Sequence, residues 1–181
     1  MVFDPNSLSP EEREQLSAQV QMASAAWNFL NPFYAGDLEA AWDFIHPTYR
    51  LCLAQWWAEA NRNALNAGGY DAETTAEDLS RSGSKGNPLW ADFARVILRD
   101  FWKAYPLDVA SAGIGGTPRL VALDTELLYV HPEVPEGFIW KPGEERTAYA
   151  ILMRLLDGQW KVLNWASEKI PVPGMPPELF S

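Results

Sequence analysis

The residues with which this chain could do chemistry are few: two histidines, a tyrosine–arginine pair and a handful of carboxylates in unusual places. His46 precedes Pro47 at a helix end and lies beside Trp42 on the helical wheel. An imidazole there could serve as a general base facing a pocket, or could simply cap the helix C-terminus. Tyr49 and Arg50 follow at once and could bind a carbonyl or carboxylate, although Arg50 could equally pair with Asp43 or Asp100. Asp100 falls inside an apolar arc at the helical period, where a carboxylate needs a partner or its pKa rises. That position suits either a catalytic acid working with Tyr49 or His46, or half of a structural salt bridge. Asp124 and Glu126 share one face of an expected strand, the spacing of an acid–base pair or of a solvated face. His131, in His131-Pro132-Glu133, reads as exposed.

Other chemistries lack their signatures. Metal sites need clustered His, Cys, Asp or Glu at ligand spacing, and the sequence has no such cluster. No Ser-His-Asp or Cys-His set stands out. Gly113-Ile114-Gly115-Gly116 is glycine-rich but has no Gly-Lys-Ser/Thr and no following helix, so it reads as a turn and not as a phosphate loop. No cofactor is implied. The single cysteine, Cys52, rules out an internal disulfide and reads as a small core residue.

The chain of 181 residues is long enough for one domain with a real core, and 48% hydrophobic composition excludes disorder by composition. Each buried aromatic removes roughly 150–250 Å² from water, so the nine tryptophans should dominate packing and could line a cavity. The net charge of −10 disfavours nucleic acid and anionic membrane surfaces as partners. The first residues carry no basic segment followed by an apolar run, and no apolar run approaches the ~20 residues needed to span a bilayer. A cytoplasmic location is the simplest expectation.

The elements that must position these residues can be read in order. Ser9-Pro10-Glu11-Glu12 is a capping box that starts a helix. Residues 1–19 form its N-terminal extension, and Leu16, Val20, Ala23, Trp27 and Leu30 form one face. Asn31-Pro32 should end or kink it. Asp37 caps a second helix with the stripe Leu38, Ala41, Trp42 and Ile45, closed by His46-Pro47. A third helix, about 48–65, carries Tyr49, Leu53, Trp56 and Ala60, with Cys52 and Trp57 widening the face. Residues 66–88 read as a flexible insertion with one short helical turn near 74–80, a mobile loop or a lid. A long helix then runs to about 104, with Asp92, Arg95, Arg99 and Lys103 as its solvent stripe.

The rest predicts strands. One covers 118–131. Asp157-Gly158 is a two-residue hairpin turn between strands 145–156 and 159–168. An uninterrupted register pairs Leu155 with Trp160, Met153 with Val162, Ile151 with Asn164 and Tyr149 with Ala166, and puts these residues on the helix-facing side. The opposite face then carries Leu152, Leu163 and Trp165. They need a cover, from the N-terminal extension, from the Pro-rich tail at 169–181, or from a second copy in a homodimer. The fold class is therefore α+β: several helices on the concave face of one curved antiparallel sheet.

Phe33-Tyr34-Ala35-Gly36-Asp37-Leu38-Glu39-Ala40-Ala41-Trp42, with Pro47 two turns on, resembles a recurring segment of the nuclear transport factor 2-like superfamily, which includes the SnoaL-like proteins. The later Trp160-Lys161-Val162 strand is similar too, so the resemblance covers roughly residues 20–168. It implies a cone-like barrel with an apolar pocket at its open end, in a superfamily of ketosteroid isomerases, polyketide cyclases, dehydratases, epoxide hydrolases and non-catalytic assembly domains. After His46-Pro47-Thr48-Tyr49-Arg50 this chain continues as a helix where many enzymatic members have a strand. Three functions remain open. The first is a domain binding a small apolar ligand with one polar group, through Trp27, Trp42, Tyr49, Arg50, Phe93, Tyr149 and Asn164. The second is an isomerase-, cyclase- or dehydratase-type enzyme using Asp100 or His46 with Tyr49. The third is an assembly domain that dimerises through the outer sheet face.

Overall fold

The computed structural model describes residues 9–81, 86–133 and 147–179. Within them the chain is α+β, six helices followed by four strands. The helices are α1 (Pro10–Tyr34), α2 (Leu38–Trp42), α3 (Pro47–Ala60), α4 (Arg62–Ala67), α5 (Ala72–Ser80) and α6 (Trp90–Ala104). The strands are β1 (Gly113–Ala122), β2 (Thr125–His131), β3 (Tyr149–Leu156) and β4 (Gln159–Trp165). They form one open antiparallel sheet in the order β1-β2-β3-β4.

The α1 capping box forms as expected, with Glu12 N donating to Ser9 Oγ at 3.2 Å and Ser9 N donating to Glu12 Oε2 at 2.7 Å. The helix runs through Pro32 and ends at Tyr34. Proline in this last turn removes only the bond back to the carbonyl of Asn28, a residue on the exposed side, so the interruption is tolerated. The buried stripe of α1 is Met22, Ala26, Phe29, Leu30 and Phe33. Of the expected face only Leu30 is buried; Leu16 and Val20 stand open to solvent at 38% and 56%.

Asp37 caps α2 as expected, accepting from Ala40 N at 2.9 Å, and Leu38, Ala41, Trp42 and Ile45 are all buried. His46 does not close that helix. It opens α3, its Nδ1 accepting from Thr48 N at 3.2 Å. The expected third helix is two helices, interrupted at Asn61, whose side chain also donates back to Trp57 O at 2.8 Å. Trp57 is buried where Trp56 is only partly so, and Ala60 is exposed.

Within 66–88 the expected short helical turn near 74–80 is a longer helix, α5. Asp71 caps α5, accepting from Thr74 N at 2.8 Å, and α5 packs on α3 through Ala72, Thr75, Ala76 and Leu79. Residues 82–85 lie outside the described part.

The sheet departs from expectation at both hairpins. Residues 118–131 are a hairpin, not one strand; Leu123-Asp124 turns it, with Asp124 at φ 57°. The glycine run is part of β1, not a turn. Its glycines make room there: a Cβ on Gly115 would meet the His131 ring at 3.2 Å, and His131 is half-buried against it. Asp124 therefore sits in the turn and Glu126 in the strand, so the two share no strand face.

At the Asp157-Gly158 turn, Leu155 faces Trp160 and Met153 faces Val162 as expected, but Leu152 then faces Asn164 and Ile151 faces Trp165. The extra residue of this β-bulge is Leu163, and every side chain beyond it changes face. Trp165 thus joins Phe29, Ile151 and Val162 in the helix-side core, while Leu127, Leu152 and Leu163 form a small second cluster on the other face. Leu152, Leu163 and Trp165 are all 0% exposed within one chain, so they offer no dimer surface. The tail folds back: Gly174 N donates to Gln55 Oε1 at 2.9 Å, and Asn164 Nδ2 donates to Lys169 O at 2.8 Å and Leu179 O at 3.0 Å. The outer edge of β4 is met by residues 44–46, through His46 N to Val162 O at 2.8 Å and Val162 N to Phe44 O at 2.9 Å.

Candidate functional site

The helix-side core is packed ring against ring. Trp42 stands edge-on to Trp90 and Phe93 at centroid distances of 5.2 and 5.5 Å, and Trp57 meets Phe93 at 5.9 Å. Edge-to-face pairs of this kind add about 0.5–1.5 kcal/mol beyond burial. Trp42, Tyr49, Phe93 and Asn164 are buried to 2% exposure or less, and Trp27 is half-buried against the same core. None of these five lines any of the three surface grooves described here and below.

Tyr149 does line a groove. It stands with Tyr105, Tyr129, Ser167, Glu168 and Lys169 around a volume of about 550 Å³. Each element brings its piece for a local reason. Tyr105 ends α6, its N–H closing the last turn on Phe101 O at 2.7 Å and its carbonyl accepting from the Tyr34 hydroxyl at 2.6 Å. Tyr149 begins β3, where its ring meets Tyr105 at 5.6 Å and Trp165 at 5.9 Å, and its hydroxyl donates to Pro106 O at 3.2 Å. Tyr129 is placed by its pairing with Ala150 across β2 and β3. Ala166, at φ 61°, swings the chain out of β4, so that Ser167, Glu168 and Lys169 wrap the groove's rim.

The groove's charges are partly committed. Glu168 accepts from the Tyr129 hydroxyl and from Arg119 Nη2, each at 2.6 Å. The Tyr129 hydrogen bond and the Arg119 guanidinium hold the Glu168 carboxyl below the usual carboxylate range, and the same contact pushes the Tyr129 phenol up. Glu168 is therefore an anion at neutral pH with both oxygens engaged. The groove's lining offers tyrosine side chains for an apolar body, a lysine for an anionic group and the Ser167 hydroxyl, whose oxygen already accepts from Lys169 N at 3.2 Å, as a donor.

The candidate catalytic residues are distributed as follows. Asp100 does not point into apolar surroundings; its carboxylate takes Arg99 Nε at 2.6 Å and its side chain is 35% exposed. His46 is committed as the α3 cap, and burial, then the Arg154 and Arg50 charges, lower its pKa. Tyr49 shares the first turn of α3 with His46, and burial pushes its phenol up. Arg50 lines a second groove, of about 490 Å³, with Thr48, Arg81 and Pro173, and of its two expected partners it is Asp43 that approaches, at 3.8 Å. Burial lowers the Arg50 pKa, and Asp43 opposes that. Among the described residues no three His, Cys, Asp or Glu groups are placed to hold a metal ion.

Tyr105, Tyr129, Ser167, Glu168 and Lys169 carry no sequence motif. Only the β2–β3 register and the exit from β4 bring them together, and neither is visible along the chain. No helix among the described residues is long and apolar enough to cross a membrane. No protein-family model, no curated protein and no solved structure matches this chain.

Proposed function

We propose that this chain is a small-molecule-binding domain whose ligand lies in the Tyr105–Tyr129–Tyr149 groove. The observation that carries this reading is a cleft of about 550 Å³ at the sheet's end, lined by the Tyr105–Tyr149 ring pair from the helix side and by Tyr129, Ser167 and Lys169, a size within the ~300–1,000 Å³ of ligand sites. The ligand class that fits is a flat apolar molecule with one polar or anionic group, stacked on tyrosine and met by Lys169. The resemblance to the nuclear transport factor 2-like superfamily supports a site at one end of the sheet and is itself part of the proposal. Binding is better supported than catalysis, because Glu168, Asp100 and His46 are each engaged in structural contacts.

A thermal-shift screen of aromatic and alicyclic acids tests it. A true ligand at a hundred times its Kd adds about 2.7 kcal/mol of stability. That gain should vanish in Tyr149→Ala and shrink in Lys169→Ala. A panel without any shift, or a shift that survives both substitutions, would count against this groove.

A further inference from the structure

The first three turns of α1 project from the domain. From Pro10 to Ala18 every residue is exposed, and the first buried side chain is Met22. Yet this arm carries an apolar stripe. Leu16 and Val20 continue through Ala23 to Trp27 at spacings of four, three and four, offset by about 120° from the core-facing stripe of Met22, Ala26, Phe29 and Phe33. The core takes the first stripe and the Trp27 end of the second, and leaves Leu16 and Val20 uncovered. The arm is also acidic, with Glu11, Glu12 and Glu14 against Arg13.

At the other end of α1 lies a groove of about 550 Å³ on the outer side of α6. Its floor is Gly36, Ala91, Ala94 and Leu98, closed by Trp102, and its rim carries Arg95 and Arg99. Trp102 is 38% exposed, and its indole donates to Phe33 O at 3.2 Å, which fixes the groove to the C-terminal end of α1. Gly36, at φ 88°, adds no side chain to the floor; a Cβ there would lie in ordinary contact with the Trp102 ring, at 3.4 Å. Arg95 and Arg99 are tied to Asp92 and Asp100 on their own helix, exposed pairs of a kind that is readily exchanged.

We infer that the α1 arm docks into the α6 groove of a second copy of this chain, Leu16 and Val20 on the apolar floor and Glu11 and Glu14 toward Arg95 and Arg99. Arm and groove are separated by roughly 20–35 Å of helix, so a copy cannot fill its own groove. A two-fold axis that sets two α1 helices antiparallel brings each arm to the other copy's groove, and the assembly closes as a dimer. Exchange of the Asp92 and Asp100 partners of Arg95 and Arg99 for Glu11 and Glu14 of the other copy favours that antiparallel arrangement.

Sedimentation of the full chain from low micromolar to several hundred micromolar tests this. A concentration-dependent dimer is expected, weakened about ten-fold or more in Leu16→Glu/Val20→Glu and, separately, in Ala91→Glu. Both changes fall on exposed positions, and circular dichroism verifies that the variants stay folded. Mixing the two variants should restore part of the association, because the intact arm of one meets the intact groove of the other. A chain that stays monomeric throughout overturns the inference. So does a dimer that ignores either variant, or a mixture that associates no better than its components.

Discussion

Leu152 stands opposite Asn164, although one residue along the hairpin Met153 stands opposite Val162. The bulge at Leu163 that separates these pairs carries Trp165 into the core and Asn164 to the other face, where its amide ties the carbonyls of Lys169 and Leu179 to the sheet.

Asn164→Leu keeps the volume and removes both donors. Two carbonyls then lose their partner at a position that is 0% exposed. Leaving a buried polar group unsatisfied costs about 1–3 kcal/mol, so urea unfolding should show a loss of that size with the tail loosened. Hydrogen exchange at 170–179 should rise in parallel. A variant as stable as the wild type would mean that the amide does not hold the tail.

His46 makes stability depend on pH. Its folded pKa is lowered below the usual imidazole value of about 6.5, first by burial and then by Arg154 and Arg50. The unfolded chain therefore binds the proton first, and stability should fall as pH drops below about 6.5 toward the folded value. The cap itself needs a neutral Nδ1 to accept from Thr48 N. His46→Asn keeps a capping acceptor and cannot titrate, so denaturation midpoints measured from neutral pH downward should flatten in that variant. An identical slope in both proteins would assign the dependence to carboxylates elsewhere.

Cys52 is 0% exposed, and burial pushes its thiol up to about 12. Reactivity follows the thiolate. A thiol reagent at mildly alkaline pH should label the native protein only at the rate of unfolding, and fully in denaturant. Fast labelling of the native chain would show that α3 opens locally.

The helical half was largely legible because its signals are local. A capping box, an Asp cap and a 3.6-residue period need only neighbours along the chain, and Ser9, Asp37 and the Leu38–Ile45 stripe stand where they were expected. The failures come from non-local choices. Leu16 and Val20 keep the period of a buried face, but no core lies within their reach. Trp165 changed sides because one inserted residue inverts an alternation of period two, and no residue type announces it. The groove was least legible of all: Tyr149 was named for a pocket among Trp42, Tyr49 and Phe93, while its neighbours there come from the ends of α6, β2 and β4.

The borders of the sheet carry one more consequence. An uncovered strand edge is a template on which other chains can add strands and grow into fibres. The β4 border is occupied by residues 44–46, whose backbone takes up both the donor and the acceptor of Val162. The β1 border is interrupted at Pro118, which has no N–H to offer, in a stretch where the pairing register also shifts. Among the described residues, then, neither border of the sheet presents an unbroken ladder on which a further chain could add a strand.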